Sequence, residues 1–432
     1  MSLRAVLGLL LGLVVWTAGL GPAQAATVPA TEAADAGRQV LVLLRLPAEH
    51  FHAGSDYAGG FGDGAGLAAR RRIAARLARE HGLVLVTGWP MPLLGVDCFV
   101  MAAPAGRSPD QVAALLARDP DVAWSEPMHS YRAQGQGQAQ VQAKAEPHVR
   151  ASAAAPDDPL FRAQPAAREW RLADLHQIAT GRGVRVAVID SAVDAAHPDL
   201  AGQLQTRRNF VAGRPDVAEQ HGTAVAGIVA ALADNRLGVA GVAPGARLMA
   251  LRACWNEPRS PATICDTLSL AKALHFAIDH DARVINLSLS GPPDLLLGRL
   301  LDLAMARGAT VVGAIDPDLA GGGFPANHAG VVAVTDDPRG GGVAGAYLAP
   351  GRDVPTTQPG GGWGLVTGSS YSAAHVSGLF ALLRQRSPRA SLVTLRAGGG
   401  AIDACATLLR AAAPCAGCAC AQAASYSALV RQ

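Results

Sequence analysis

Three side chains of this sequence, Asp190, His221 and Ser370, are of the types needed for nucleophilic acyl transfer. A serine hydroxyl becomes a good nucleophile when an imidazole takes its proton, and the imidazole needs a carboxylate to fix its tautomer and stabilise its charge. Ser370 lies in the small-residue segment 367–378, at the start of an apolar helix pattern. The unpaired N–H groups of a helix start favour a developing negative charge. An isolated Gly-Ser-Ser is more often a plain helix cap, so the prediction depends on the two other residues.

Each of these residues is predicted to stand where a secondary-structure element begins or ends. Asp190 follows a short apolar strand, whereas His221 and Ser370 each open a helix. The predicted strands are 184–189, 246–252, 284–289, 310–314 and 331–335, and the predicted helices are 221–232, 267–280, 295–306 and 370–386. Apolar strands that alternate with helices indicate a parallel sheet covered on both faces. Because sites in such sheets lie at the carboxyl ends of the strands, we expect the three residues to meet.

The order Asp, His, Ser along the chain resembles that of the subtilisin-like serine proteases, the subtilases of peptidase family S8. The segment 221–231 matches the family's pattern throughout. The segment around the serine matches at Gly368, Ser370, Ser372, His375, Val376 and Gly378. Departures are Ser369 in place of Thr, Ala374 in place of Pro and Ala192 in place of Gly. The resemblance covers about residues 157–390 and implies the family's fold, a doubly wound parallel sheet of the α/β class.

The resemblance also implies a role for each site residue. Ser370 would attack the scissile carbonyl carbon, His221 would act as general base and then as general acid, and Asp190 would orient the imidazole. The residues Ser288, Leu289, Ser290 and Gly291 would bind the substrate backbone as an added strand. The implied substrates are polypeptides, and no cofactor is implied.

The sequence departs from the family at one part of the oxyanion site. Family members usually have an Asn just after the strand predicted at 310–314, and its amide donates to the oxyanion beside the backbone N–H of Ser370. Here residues 315–318 read Ile-Asp-Pro-Asp, so Asp316 takes that position if one residue is deleted and Pro317 takes it otherwise. Removing such a donor typically costs about 2.7–4 kcal/mol of transition-state stabilisation. The candidates for a replacement donor are Asn327, Thr223 and a protonated Asp316.

The N-terminal part of the chain is predicted to be a signal peptide followed by a propeptide. Near its N-terminus the chain has Arg4, an apolar run from Ala5 and a small-x-small site within residues 22–25. This pattern is typical of a cleaved signal peptide, 1–25. Residues 26–130 contain a core, about 38–130, in which strand, helix, strand, strand, helix and strand follow one another as in ferredoxin-like units. By resemblance this unit is the family's inhibitory propeptide and a partner of the catalytic domain. We expect a secreted or periplasmic protein with no stable membrane insertion after signal cleavage.

Composition shifts predict the remaining boundaries. The segment 131–156 is rich in Gln, Ala and Gly without apolar periodicity, and is predicted to be a flexible linker that is cut during maturation. Residues 157–390 form the predicted catalytic domain. The Ala-, Gly- and Cys-rich tail, 391–432, does not match the family's pattern.

Charge and cysteine content bound the partners and ligands. The formal net charge is +3 and no basic run is interleaved with aromatic residues, so nothing indicates nucleic acid. Cys254 and Cys265 bracket a Pro-rich loop and are candidates for a disulfide. Asp194 and Asp199 are candidates for a structural calcium of the kind some relatives hold. Isolated carboxylates are usually just solvated, so no metal is predicted.

The sequence therefore predicts a secreted serine endopeptidase that is made as a self-inhibited precursor and acts through Asp190, His221, Ser370 and an acyl-enzyme. The alternative is a catalytically weakened relative that binds polypeptides, which the replacement at 316–317 favours. An esterase with the same three residue types is disfavoured, because that fold places the acidic residue between Ser and His in the chain.

Overall fold

A computed structural model describes residues 37–46, 64–141, 155–257, 260, 262–339, 343–388, 397–398 and 400–410. The predicted signal peptide and most of the predicted C-terminal tail lie outside these residues. No helix in the described ranges is both long enough and apolar enough to cross a membrane.

Within the described residues, the N-terminal unit is an antiparallel sheet with two helices. Its strands are β1 (Gln39–Arg45), β2 (Val84–Met91), β3 (Val96–Ala102) and β4 (Val122–Pro127), and its helices are α1 (Gly64–His81) and α2 (Pro109–Leu116). The strands lie in the order β2-β3-β1-β4, and every neighbouring pair is antiparallel. This confirms the ferredoxin-like arrangement predicted from the order of the elements.

Strand β1 is apolar almost throughout because both of its faces are covered. Val40, Val42 and Leu44 pack in one cluster with the two helices of the unit. Leu41 and Leu43 belong to a second cluster, which extends into the rest of the chain. Successive side chains of a strand point to opposite faces, so the N-terminal sheet lies between its own helices and the second unit.

The second unit is built on a large parallel sheet. Its described strands are β5 (Ser130–Ala133), β6 (Gln136–Val141), β7 (Arg185–Asp190), β8 (Leu204–Asn209), β9 (Arg247–Arg252), β10 (Cys254–Asn256), β11 (Thr263–Asp266), β12 (Val284–Leu287), β13 (Leu289–Ser290), β14 (Thr310–Ala314), β15 (Val332–Thr335), β16 (Tyr347–Leu348), β17 (Val354–Gln358), β18 (Gly362–Thr367), β19 (Ala397–Gly398) and β20 (Ala401–Ile402). Its described helices are α3 (Pro165–Glu169), α4 (Leu172–Ile178), α5 (Gln220–Ala230), α6 (Thr267–Asp279), α7 (Leu295–Ala306), α8 (Ser369–Arg386) and α9 (Ala404–Arg410). Short 3-10 turns lie at Pro92–Leu94, Phe161–Ala163, Pro198–Leu200 and Ala320–Gly322.

The order in the main sheet is β19-β20-β16-β15-β14-β12-β7-β9-β8, and only the edge pair β19-β20 of these described strands is antiparallel. In the inner strand β7, Val186 and Val188 pack in a cluster with α5 and α8. Ala187 and Ile189 pack in the cluster that contains α6 and α7. Both faces are therefore covered, which explains the continuous apolar run and confirms the predicted doubly wound sheet.

The N-terminal sheet packs against α6 and α7, and its inner face forms one continuous apolar cluster with these helices. Two cations of the helices lie over aromatic rings of the sheet. The Arg299 guanidinium is 3.9 Å from the centroid of Trp124, and the Lys272 ammonium is 5.0 Å from that of Trp89. This contact brings the end of β4 to the start of α7.

The prediction of a flexible linker from residue 131 is wrong for its first part. Strand β5 lies between β11 and β13, and β6 lies against β18. The segment lacks apolar periodicity, so its order comes from hydrogen bonds supplied by the edges of other strands. Residues 142–154 of the predicted linker lie outside the described residues.

The predicted end of the catalytic domain at 390 is also wrong. Strand β20 pairs with β16, and α9 packs against α4 and α8. Ile402 and Leu408 are buried in the same cluster as α8. The Ala and Leu side chains of this segment therefore complete the core of the catalytic domain.

Candidate active site

Asp190 and His221 meet at the carboxyl edge of the parallel sheet. Asp190 is the last residue of β7, and His221 lies in the first turn of α5. The Nδ1 atom of His221 lies 2.7 Å from Oδ1 of Asp190, and both side chains are buried. A carboxylate at Nδ1 holds the proton there and leaves Nε2 as the proton acceptor. Among the described residues this Nε2 has no hydrogen-bond partner.

The backbone of Ser370 is held by a chain of buried hydrogen bonds. The Ser370 carbonyl accepts from the Ser288 hydroxyl at 2.9 Å, and the Ser288 oxygen accepts from the Asn286 amide at 2.8 Å. The hydroxyl of Ser377, two turns along α8, donates to the side-chain oxygen Oδ1 of Asn286 at 2.9 Å. Because Asn286 is fully buried in β12, this chain of bonds fixes the start of α8 to the centre of the sheet.

The hydroxyl of Ser370 is engaged with the segment that follows β5. It donates to the Ser288 carbonyl at 2.8 Å and accepts from the Gln134 N–H at 2.9 Å. The backbone N–H of Ser370 donates to the carbonyl oxygen of Gln134 at 2.9 Å. Gly368 has no room for a side chain, because a Cβ there would lie 2.6 Å from this same oxygen. The peptide bond from Gln134 to Gly135 therefore lies against Ser370.

The four residues predicted to bind substrate backbone line this segment. Leu289 pairs with Ala133 and Ser290 pairs with Arg132, in antiparallel register. Ser288 accepts a further hydrogen bond, 3.4 Å long, from the N–H of Gln134. A Cβ on the remaining predicted residue, Gly291, would lie 2.5 Å from the Tyr131 ring.

The other wall of the cleft is β11, which pairs with β5 on its second edge. A disulfide between Cys254 and Cys265 joins β11 to β10, which confirms the pair suggested by the sequence. Beyond Gly135, β6 adds to the edge of β18, where Gln136 pairs with Thr367. The segment from β5 to β6 thus crosses the site as an extended strand.

Tyr131 fills a buried pocket in this cleft. Its hydroxyl donates to Oδ2 of Asp294 at 3.2 Å, and its ring centroid lies 6.3 Å from that of Phe324. The same carboxylate accepts from the Thr267 hydroxyl at 2.7 Å and lies 3.1 Å from Nδ1 of His129. Burial, with the charge of Asp294 as a second cause, raises the pKa of the Tyr131 hydroxyl, so this group stays protonated and donates.

Among the described residues, none of the three candidate replacement donors hydrogen-bonds to the Gln134 carbonyl oxygen. The Asp316 carboxylate accepts from the Asp318 N–H at 2.9 Å. The Thr223 hydroxyl donates to the Glu219 carbonyl at 2.7 Å, and the Asn327 side chain is exposed. Among described residues, the hydrogen bond to the Gln134 carbonyl comes from the N–H of Ser370.

Other polar residues near the site have structural surroundings. His375 is buried with Nδ1 2.7 Å from the Tyr371 carbonyl, and burial lowers its pKa to about 4. The Asp199 carboxylate accepts from Asn235 and Trp363 at 2.8 and 2.7 Å. In the described ranges no three His, Cys, Asp or Glu side chains are grouped to hold a metal ion. The absence of a bound metal stays a prediction.

The part of the chain that forms this site matches a known protein family. The model of the Subtilase family (Peptidase_S8) matches residues 181–398, which include the sheet edge, α5 and α8. The chain belongs to the subtilase family. The predicted enzyme class, a subtilisin-type serine endopeptidase, is confirmed at the level of this family.

Individual relatives agree with the family match. M-protease of Shouchella clausii (strain KSM-K16) is 36% identical over 229 residues, which are 50% of this chain and 58% of that protein. Subtilisin BL of Lederbergia lenta is 36% identical over 229 residues, 50% of this chain and 82% of its own length. The structure of fervidolysin from Fervidobacterium pennivorans, at 22% identity, covers 86% of this chain and 60% of that chain with a TM-score of 0.63. The structural similarity to fervidolysin shows that the two chains share a fold.

Sequence reasoning did not find several residues that the subtilase cleft brings together. Gln134 and Gly135 lie in a stretch whose composition indicates no order. Asp294 stands before a predicted helix and reads as an ordinary cap, although its partner Tyr131 is 163 positions away. Tyr371 could have been found, because it directly follows the candidate nucleophile Ser370.

Proposed function

We propose that this subtilase is a self-processing endopeptidase precursor, and that Ser370 cuts the chain between Gln134 and Gly135. The observation that carries the proposal is the position of the Gln134 carbonyl. Its oxygen accepts from the N–H of Ser370, while the strands on both sides of the bond are paired with the cleft. A peptide bond held in this way is presented as a substrate.

In the proposed reaction the Ser370 side chain rotates towards Nε2 of His221, which takes the hydroxyl proton as Oγ bonds to the carbonyl carbon of Gln134. The carbonyl electron pair moves to oxygen, beside the N–H of Ser370. Collapse of this intermediate breaks the bond to the nitrogen of Gly135, and His221 returns the proton to that nitrogen. Water, with His221 as base, then hydrolyses the acyl-enzyme. Asp190 orients and stabilises the imidazolium throughout.

The oxyanion hole explains why we expect slow turnover. One backbone donor is provided by Ser370, whereas the position of the usual second donor carries Asp316 or Pro317. The Asp316 carboxylate accepts a hydrogen bond from its own loop, and a proline has no N–H to donate. Loss of one oxyanion donor reduces the rate by about 100- to 1000-fold. A slow single cut in cis remains compatible with this loss, because the bond is already held at the nucleophile.

The N-terminal unit is proposed to stay bound as an inhibitor after the cut. Its Glu126 carboxylate accepts from the N–H groups of Leu295 and Leu296 at 2.9 and 3.0 Å, at the start of α7. These N–H groups lack partners within the helix, and the helix end favours a negative charge. Together with the apolar face on α6 and α7, this contact supports inhibition by the unit. Export through the predicted signal peptide is part of the same proposal.

The test compares the chain from Ala26 with a Ser370→Ala copy and a matched Ser372→Ala control. Ser372 lies on the same helix, and its hydroxyl donates to the Ala349 carbonyl. We expect the parent and the control to acquire a new N-terminus at Gly135 and to label with a fluorophosphonate probe. The Ser370→Ala chain should do neither.

The second candidate function, a polypeptide-binding module, is favoured by the replacement of the usual oxyanion donor at 316–317. It predicts that the parent stays intact and unlabelled while still folded by circular dichroism. That result would refute the endopeptidase proposal for this chain.

A further inference from the structure

Gly135, the residue after the proposed cleavage site, lies directly against the ring of Tyr371. A Cβ built on Gly135 would lie 2.5 Å from Cε2, 3.0 Å from Cζ and 3.2 Å from the hydroxyl oxygen of that ring. Gly135 is not among the described glycines with positive φ. The need for glycine therefore comes from the space that the ring occupies and not from backbone conformation.

The Tyr371 ring has little freedom to move aside. The residue is 1% exposed, and it belongs to the large apolar cluster of the catalytic domain. Its ring lies 5.5 Å from the ring of His221, between centroids, and its carbonyl is 2.7 Å from Nδ1 of His375. A rotation of the ring would disturb the packing of the general base. Protein interiors are packed too densely to absorb such a change without cost.

The substrate backbone is equally restricted at this point. On one side, the Gln134 carbonyl is held by the N–H of Ser370, and on the other side Gln136 pairs with Thr367 at the end of β18. Moving Gly135 away from the ring would break one of these two contacts. A residue with a Cβ must therefore displace Tyr371 or leave the reactive position.

We propose that Tyr371 is a specificity-determining residue that restricts cleavage to peptide bonds followed by glycine. This inference rests on the proposed function, and it extends to substrates cut in trans. The side chain acts by excluding volume, so the selectivity should disappear when the ring is removed.

The experiment uses four full-length chains from Ala26: the parent, Gly135→Ala, Tyr371→Ala and the double variant. The rate at which a new N-terminus appears at residue 135 is measured by mass spectrometry. We expect Gly135→Ala to be cut about 10- to 100-fold more slowly than the parent, or to be cut before another glycine. In the Tyr371→Ala background, Gly135→Ala should slow the cleavage by less than about threefold, because the ring that clashes with the Cβ is gone.

A second readout protects the test against misfolding of Tyr371→Ala. Processed parent enzyme is given two peptides with the sequence of residues 130–141, one with Gly and one with Ala at position 135, and the ratio of kcat/KM is compared. Tyr371→Phe keeps the ring and should keep the preference for Gly.

The outcomes separate the two proposals. If the parent is cut at Gly135 and Gly135→Ala is cut at the same bond and rate, the inference is wrong and the proposed function stands. The inference also fails if the peptide ratio in the parent is close to one. If the parent is neither cut nor labelled by fluorophosphonate, the proposed function fails and the inference falls with it.

Discussion

After the proposed cut behind Gln134, strand β5 with Tyr131 stays covalently joined to the N-terminal unit. Replacing Tyr131 by Phe tests whether its hydroxyl, at the bottom of the cleft, holds that unit in place. The change keeps the ring against Phe324 and Gly291 and removes only the hydrogen bond to Asp294. Hydrogen bonds to charged groups contribute about 1.5–3 kcal/mol. This one, at 3.2 Å, is longer than the ~2.5–2.7 Å of a strong O–H···O⁻ bond. Thr267 also continues to donate to the carboxylate at 2.7 Å, so the low end applies.

We therefore expect a loss of about 1–2 kcal/mol, which is about a 5- to 30-fold faster release of the cleaved N-terminal unit. The assay lets each precursor cut itself, dilutes it and follows the onset of activity on a peptide substrate. The matched control is Tyr347→Phe, on β16, where the same atom is removed outside the cleft. A release rate for Tyr131→Phe within twofold of the control would show that the hydroxyl contributes nothing to the complex.

Two further predictions concern pH and the disulfide. The hydrogen bond that His129 donates to the Asp294 carboxylate raises the pKa of His129. The contribution of His129 to the complex is therefore full below the free pKa of histidine and is lost as pH rises through the raised pKa. Burial also raises the pKa of Glu126, so ionisation of this carboxyl group as pH rises weakens the complex in the same direction. Release of the N-terminal unit should become faster as pH rises, and His129→Gln should flatten this pH dependence. If the release rate of His129→Gln changes with pH as it does in the parent, the proposed role of His129 is contradicted. Replacing Cys254 and Cys265 by Ser in the Ser370→Ala background should lower the free energy of unfolding by about 2–3 kcal/mol, because the loop they close is short. Urea denaturation measures this, and an unchanged midpoint would contradict it.

Much of the fold could be predicted because its signals are local. The N-terminal elements follow from runs of apolar residues at strand and helix spacing, and α7 was predicted with its observed bounds. Asp190, His221 and Ser370 were found because each lies in a short motif at the end of a predicted element. The structure brings Asp190 and His221 into contact at 2.7 Å, and it places Ser370 at the start of α8.

The segment 131–141 could not be predicted in the same way. Its Gln- and Gly-rich composition offers no buried face, and a strand formed there depends on partners 130 or more positions away along the chain. The same limit applies to Leu408 in the predicted tail, which is buried by contacts with α4 and α8 that no local pattern announces.

The sequence by itself determined the family, the parallel sheet and the identity of the three candidate catalytic side chains, because motifs and periodicity are properties of neighbouring residues. Only the tertiary structure decided which peptide bond lies at Ser370, and that Tyr371 closes the space beyond it. These are distances between atoms far apart in the chain. They follow from how the sheet edges and helix ends are packed together, which the order of residues does not display.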